Sequence, residues 1–350
     1  METGRAPVGC NDGMNAASAV SGTLRILLST PAAAALAGQI AQTLGGRPHV
    51  LVRAEEVAPG ADFELAFVSR DVTGRSTKHE VLPATQHFHD LLRQAPGLRW
   101  VHIHSAGADR PVYAELRARR VQVATSSGAN AEVVAQTAMA GLLSLARRFP
   151  QLMAAQQARR WAPLIGDSQA PRDLAGQTAV IVGWGPIGRR IAAFLCLLGL
   201  RVVAARHSPA PAAEEGVEMV SLRKLPAVLP RADWLVLACP LTEQTRGLVD
   251  SRLLALLPAG ACLINVARGE VVVESDVIAA LRGGQLGGAY LDVFAHEPLG
   301  SASPLWGLPN VIVTPHSAGH SDGNPRRTSD LFLANLARWQ AGQPLQHAVA

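Results

Sequence analysis

From about residue 23 the chain alternates short apolar runs with stretches of helical spacing. Leu24 to Leu28 reads as a buried strand, and a helix rich in Ala and Leu follows over 32–44. Val50 to Val52 and Leu65 to Val68 read as the next strands. The segment 84–95 has helical spacing, and Trp100 to Ile103 is another strand. Runs that are apolar throughout, not alternating with polar residues, are buried on both faces. That is the pattern of a parallel sheet covered by helices. A helix is expected over 131–149, with Asn130 as its cap, Glu132 in its first turn, and Arg147 and Arg148 in its last turn before Pro150. A polar, Trp-containing stretch then runs to about 172. A second α/β series begins at Thr178, and a final helix over 326–341 runs into Gly342. That helix follows the last strand of the second series and must pack somewhere. The second unit is therefore expected to be inserted into the first, with 131–149 and the C-terminal helix as connecting elements. No internal repeat is visible.

One junction carries a specific chemical signal. The strand-like run Thr178 to Val182 leads into Gly183-Trp-Gly185-Pro186-Ile187-Gly188, and a helix starts behind it. This is GxGxxG between a strand and a helix. Gly183 permits the tight turn, Gly185 lets backbone approach a pyrophosphate, and Gly188 lets the helix pack on the strand. The helix N-terminus offers unpaired N–H groups to the phosphates. The next strand, 201–205, ends at Arg206, His207 and Ser208. An NAD site carries Asp or Glu about 20 residues beyond the glycines, to hold the ribose 2′-hydroxyl. Here Arg206 suits a 2′-phosphate instead, so NADP is the expected cofactor and NAD the alternative. A solvated Arg at a strand end is the plain reading of the same residue.

Composition narrows the class. The 350 residues suit two domains, and 48% hydrophobic with 17% charged residues is a globular balance. The net charge of +5 is spread without a basic block, which argues against a nucleic-acid partner. Cys10, Cys196, Cys239 and Cys262 are scattered and show no ligand spacing, so neither a metal site nor a disulfide framework is expected. Reduced thiols in a cytoplasmic protein are the simple reading. No apolar run is long enough for a membrane span, and no signal pattern opens the chain. Residues 1–22 read as a disordered tail, within which Met14 is a second candidate start.

Three more strands end in polar residues. Ala261 to Val266 is followed by Ala267-Arg268-Gly269-Glu270. Tyr290 and Leu291 lead to Asp292 and on to Glu297-Pro298. Val311 to Val313 leads to Thr314-Pro-His316-Ser-Ala318-Gly319. In a doubly wound sheet, ligands bind at the carboxyl ends of the strands, so these groups converge on one cleft. Singly, each reads as a surface Arg, a capping Glu or a satisfied core His.

With these pieces in hand, the chain resembles the D-isomer-specific 2-hydroxyacid dehydrogenase family, which includes glyoxylate/hydroxypyruvate reductases and phosphoglycerate dehydrogenases. The resemblance runs from about residue 90 to the C-terminus. It is carried by Ser105-Ala-Gly107-Ala-Asp109, Asp173-Leu-Ala-Gly-Gln-Thr-Ala-Val-Ile-Val-Gly183, Cys239-Pro240-Leu-Thr-Glu-Gln-Thr245, Asn265-Val266-Ala267-Arg268-Gly-Glu, Leu291-Asp292-Val-Phe, Glu297-Pro298-Leu and Thr314-Pro-His316. Arg268 and Glu297 are 29 residues apart, and Glu297 and His316 are 19 apart.

The resemblance implies two Rossmann-like α/β domains. The substrate-binding, flavodoxin-like domain covers 23–124 and 318–350, with an NAD(P)-binding domain over 125–317 inserted into it. It implies catalysis by Arg268, Glu297 and His316, transferring hydride between NAD(P)H and a small 2-oxo or D-2-hydroxy acid. Arg268 would hold the substrate carboxylate and polarise the oxo group. His316 would be the acid in reduction and the base in oxidation. Glu297 would fix the imidazole's tautomer and stabilise its charged form. The backbone N–H groups of Ala106 and Gly107 would form a second carboxylate cradle. Cofactor contacts would come from Gly183 to Gly188, Arg206, His207, Ser208, Cys239, Pro240, Thr245, Val266, Ala267, Arg268, Asp292, His316, Ala318 and Gly319. Asp292 either bonds the nicotinamide carboxamide or caps its strand end.

Departures from the family are few. Gln136 stands where relatives often carry Glu, without expected consequence. Ala108 stands where relatives often carry Val, which would widen the pocket. Trp306 either reaches the active site or fills core beneath its loop. His102, His104 and His320 have no compelling role, although His104 lies beside the substrate loop, and the other histidines are expected to be solvated. A homodimer is expected through the 150–176 arm. The leading activity is reduction of glyoxylate or hydroxypyruvate by NADPH. A phosphoglycerate dehydrogenase and an NAD(H)-sensing corepressor remain alternatives. A serine-sensing domain has no room after His316, the formate dehydrogenase branch carries Gln where Glu297 stands, and a phosphite dehydrogenase is remoter.

Overall fold

The computed structural model describes residues 22–166, 170–207 and 216–349. The expected tail lies outside these residues except for Gly22, as does Ser208.

The first unit runs β1 (Leu24–Leu28), α1 (Thr30–Leu44), β2 (His49–Arg53), β3 (Leu65–Val68), α2 (Arg70–Thr73), α3 (Pro83–Gln94), β4 (Trp100–Ile103), α4 (Pro111–Ala118) and β5 (Gln122–Thr125). Its sheet has the order β2-β1-β3-β4-β5, with every pairing parallel. This is the flavodoxin-like order. Then come α5 (Ala131–Ala146), α6 (Phe149–Gln157), β6 (Thr178–Val182), α7 (Pro186–Leu197), β7 (Arg201–Arg206), β8 (Val217–Ser221), α8 (Leu225–Val228) and β9 (Trp234–Leu237). The second unit continues through α9 (Ser251–Leu254), β10 (Ala261–Asn265), α10 (Glu274–Arg282), β11 (Leu286–Leu291) and β12 (Val311–Val313). Its parallel sheet has the order β12-β11-β10-β9-β6-β7-β8. Counted from β6, that is the Rossmann order with one more strand, and its switch point lies between β6 and β9.

The apolar strands behave as their composition demands. Val180 and Val182 of β6 enter one core, and Ala179 and Ile181 enter the core on the opposite face. In β1, Leu24, Ile26 and Leu28 point to one face and Leu27 to the other. Both faces are covered, so polar residues have no place in the run. The last helix, α11 (Asn324–Gln340), packs against α1 and sends Phe332 and Leu336 into the core with Leu24 and Trp100. Beyond it, Val349 N donates to Val123 O at 2.8 Å. The described residues therefore begin and end in the first unit, with the seven strands of the second between.

Local expectations fail in places. The helix expected through 149 stops at Ala146, Arg148 turns left-handed at φ 55°, and α6 starts at Phe149. Pro150 sits in the first turn of α6, where a missing N–H and a fixed φ cost nothing, so it starts a helix where a stop was expected. Asn130 occupies the cap position of α5 but makes no cap bond, and its Oδ1 is buried without a partner. His89 is buried on α3, contrary to the expectation of a solvated ring, because α3 turns it inward to pack against Tyr113. His102 is also fully buried. Its Nε2 bonds Ser126 Oγ at 3.0 Å, and its Nδ1 faces Asn335 Nδ2 at 3.4 Å.

Candidate active site

Arg268 follows β10, and its position is set by the backbone on both sides. Asn265, fully buried, accepts from Ala267 N at 3.1 Å and donates to Arg268 O at 3.2 Å. A Cβ on Gly269 would overlap the Phe294 carbonyl, so only glycine allows this close approach. The guanidinium reaches across to the first unit. Its Nε and Nη2 lie 3.2 and 3.4 Å from the Asp109 carboxylate, while Nη1 donates to Ala267 O at 2.8 Å. It also rests on Gly107, where a Cβ would overlap it. Burial alone would raise the Asp109 carboxyl, but Arg268, its own backbone N–H and Lys78 hold it below the usual carboxylate range.

His316 follows β12 in an unusual backbone state, with φ 50°. A left-handed non-glycine residue costs on the order of 1–2 kcal/mol. Asp292 supplies the counterweight. Its Oδ1 accepts from Thr314 Oγ1, Ser317 N and Ala318 N, its Oδ2 accepts from Ala318 N, and its backbone carbonyl accepts from His316 N at 2.8 Å. Asp292 is therefore the cap of the turn that presents His316, and it also borders the cleft. Burial raises its carboxyl above the usual value despite these donors.

His316 Nδ1 lies 2.8 Å from Glu297 Oε2, and Phe294 N donates to Glu297 Oε1 at 3.1 Å. Burial alone would raise the Glu297 carboxyl, but the bond and charge of His316, the Phe294 N–H and Lys78 hold it below the ordinary value. The imidazole is about half exposed (51%) and the carboxyl nearly covered (12%); among the described residues nothing bonds the ring's other nitrogen, and His316 lines the cleft.

The cleft between the units has a volume of about 730 Å³ and is lined by Arg268, Glu297 and His316, with Ala106 and Gly107 opposite. Of the expected cofactor residues, Ile187, Val266, Asp292, Ala318 and Gly319 also line it. The glycine turn lies further along. Gly183 has φ 108° and no room for a Cβ, which would meet the Ala238 carbonyl carbon at 2.7 Å. A Cβ on Gly188 would overlap Gly183 O, whereas nothing lies within 4 Å of Gly185. The turn is thus tight on its inner side and open at the α7 N-terminus, behind Pro186, which fits a pyrophosphate. Arg206 is half-buried at the end of β7, with His207 exposed beside it. Cys239 is buried and its thiol is pushed up to about 11, so it is not a nucleophile. Pro240 is exposed, and its carbonyl accepts from Thr245 Oγ1 at 2.7 Å, so that hydroxyl shapes its own loop. Ala267 is buried beneath Arg268.

Other expectations resolve here. Trp306 lines the cleft and is 53% exposed, so it is not core. Ala108 packs into the first unit's core and does not widen the pocket. The sequence reading missed the segment 74–78, which lines one wall. Thr77 Oγ1 donates to Glu297 O at 2.8 Å, and Lys78 pairs with Glu270. No strand precedes Lys78 directly, so no pattern marked it. Arg70 and Arg110, also lining the cleft, stand just beyond β3 and beyond the turn after β4, and the strand-end rule would have found them.

The family model described as "D-isomer specific 2-hydroxyacid dehydrogenase, NAD binding domain" matches residues 139–318. A glyoxylate/hydroxypyruvate reductase B of Klebsiella pneumoniae is 37% identical over 233 residues, covering 66% of this chain and 72% of that protein. A D-isomer specific 2-hydroxyacid dehydrogenase from Xanthobacter autotrophicus Py2, solved with NADPH and MES, superposes with a TM-score of 0.74 at 31% identity over 94% of this chain and 98% of that one. An NADPH-dependent glyoxylate/hydroxypyruvate reductase from Sinorhizobium meliloti, solved with NADP and sulfate, gives 0.71 at 28% identity over 94% and 98%. The GxGxxG turn at the sheet's switch point and the Arg268, Glu297 and His316 cluster thus sit in a chain that belongs to the D-isomer specific 2-hydroxyacid dehydrogenase family, as an NAD(P)-dependent oxidoreductase.

Proposed function

We propose that this dehydrogenase reduces small 2-oxo acids with NADPH, glyoxylate and hydroxypyruvate among them. The observation that carries the reading is the His316–Glu297 pair facing the cleft across from Gly107 and beside Arg268. Gly183, Gly185 and Gly188 with the α7 N-terminus would hold the pyrophosphate, and Asp292, Ala318 and Gly319 would border the nicotinamide. When bound, the nicotinamide supplies the hydride to C2 of the oxo acid. Arg268 and the N–H groups of Ala106 and Gly107 hold the substrate carboxylate, so that the carbonyl faces one side of the ring. His316 gives its Nε2 proton to the oxo oxygen as charge builds there, and Glu297 holds the Nδ1 proton and stabilises the cation. The reverse direction uses the same nitrogen as base.

Preference for NADP rests on Arg206 at the end of β7, where the described residues offer no acidic side chain, and fits the NADPH and NADP seen in the two relatives. Steady-state oxidation of NADPH and NADH with a panel of 2-oxo acids tests this. Turnover with NADPH exceeding that with NADH is expected, and a folded, cofactor-bound protein that reduces none of the acids would refute the reading. A homodimer accounts for the exposed Phe149, Met153, Trp161 and Ile165, which leave an apolar strip along α6 and the following segment. Light scattering should give twice the chain mass, and Trp161→Glu with Ile165→Glu should give the monomer. A cytoplasmic location fits the free thiols Cys196, Cys239 and Cys262. Among the described residues no helix is long and apolar enough to cross a membrane.

A further inference from the structure

The charges lining the cleft do not balance. Lys78 pairs with Glu270, Arg268 with Asp109, and His316 with Glu297. Asp292 is occupied by the turn it caps. Arg70, Arg75 and Arg110 line the same cleft, and among the described residues none has a carboxylate within ion-pair distance.

Arg110 is the most constrained of these. Its Nη2 donates to Ser76 O at 2.6 Å, while its Nη1 is buried with no partner. A buried N–H without an acceptor is costly, and a bound anion removes that cost. Among the described residues the Arg70 side chain makes no hydrogen bond or ion pair. Burial and the neighbouring Arg110 charge both lower its pKa, so the two cations lie close enough to repel. His104 lies within the field of both, bonds Thr73 Oγ1 at 2.8 Å and is pushed down to about 3, mainly by burial, so it adds no charge.

The backbone explains the pairing. Arg70 begins α2 directly after β3, and Arg110 caps α4 after the turn that follows β4. These strands are adjacent and parallel, so both arginines reach the same sheet edge. Arg268 approaches from the other unit, against Gly107. An oxo acid held by its carboxylate at Arg268 and Gly107 lies in the same cleft as the wall that Arg70 and Arg110 share. The dinucleotide phosphates do not compete for this wall, because their cradle lies on β6 and α7.

We propose that Arg70 and Arg110 form a second anion subsite, and that the preferred substrate is a 2-oxo acid whose side chain ends in an anionic oxyacid group such as a carboxylate. This rests on the reductase reading for the orientation of the substrate. Neutral-tailed acids such as glyoxylate bind without engaging the subsite.

The test compares D-malate with D-lactate, which differ by one carboxylate, in calorimetric titrations of the NADPH-loaded enzyme. D-malate should bind at least about tenfold tighter, and Arg70→Gln and Arg110→Gln should each bring the ratio near unity. Equal binding to the unaltered enzyme, or a ratio that survives both substitutions, overturns the subsite. Among the described residues the Arg70 side chain makes no hydrogen bond, and its backbone carbonyl accepts from Gly74 N and Thr73 Oγ1 whatever the side chain, so R70Q remains informative if R110Q does not fold. The titration needs no turnover. A protein that reduces no 2-oxo acid yet prefers D-malate keeps the subsite and loses the reductase reading. One that reduces glyoxylate and shows no malate preference keeps the reductase and loses the subsite.

Discussion

At the scale of single residues, the site depends on groups held by others. His316 is kept in a strained left-handed conformation by the Asp292 carbonyl and carboxylate, and aimed by Glu297 at 2.8 Å. Because the ring borders the cleft without supporting the glycine turn, His316→Ala should lower kcat by about 100-fold to 10,000-fold while leaving the NADPH Kd within about twofold. Loss of NADPH affinity in fluorescence titration would remove His316 from the acid/base role. Arg268 presents a fork already shaped by Asp109 and Ala267 O. Arg268→Lys should raise KM for the oxo acid and lower kcat together, since a point charge cannot bond a carboxylate twice. Steady-state kinetics showing KM unchanged would assign the carboxylate elsewhere.

At the scale of elements, chemistry collects where strands end. β10, β11 and β12 deliver Arg268, Asp292 and His316 to one edge because parallel neighbours share a direction. The same rule puts Arg206 at the end of β7, next to the glycine turn that ends β6. Replacing it by Asp would supply an acceptor for a ribose 2′-hydroxyl and repel a 2′-phosphate. Arg206→Asp should therefore shift the NADPH/NADH ratio of kcat/KM toward NADH by at least about tenfold. A ratio left unchanged would show that phosphate discrimination resides outside β7. Helix α6 gives a different lesson. Pro150 was expected to end α5, yet the chain uses it to begin a helix, because proline is excluded from a helix interior but suited to its first turn.

For the whole molecule, the buried histidines make stability depend on pH. His102 is pushed down to about 3 and His89 to about 4, each mainly by burial. Both rings are neutral when folded and charge near 6.5 when the chain unfolds. Between about 6.5 and 4 the unfolded state binds more protons, so stability falls as pH falls through that window. The loss is about 1.4 kcal/mol per pH unit for each ring. Urea midpoints should drop from pH 7 to pH 5, and His102→Asn should flatten that slope by about one proton. Identical slopes in the two proteins would show that His102 titrates alike in both states.

The sequence alone determined the architecture's alphabet. Fully apolar runs required strands buried on two faces, the glycine spacing required a phosphate turn, and residues placed just after strands had to share an edge. Those constraints are local, and they place Arg268, Asp292 and His316 at one sheet edge, while the grouping of Arg268, Glu297 and His316 as a catalytic set is what the family resemblance implies. Tertiary structure decided whatever depends on residues distant along the chain. The Arg268–Asp109 bond spans 159 positions and the Thr77–Glu297 bond 220, and no periodicity encodes such a meeting. The burial of His102 and His89 and the cleft wall shared by Arg70 and Arg110 arise in the same way. Whether a polar side chain ends up solvated, paired or left waiting for a ligand is set by which elements pack over it, and only the assembled sheets supply that.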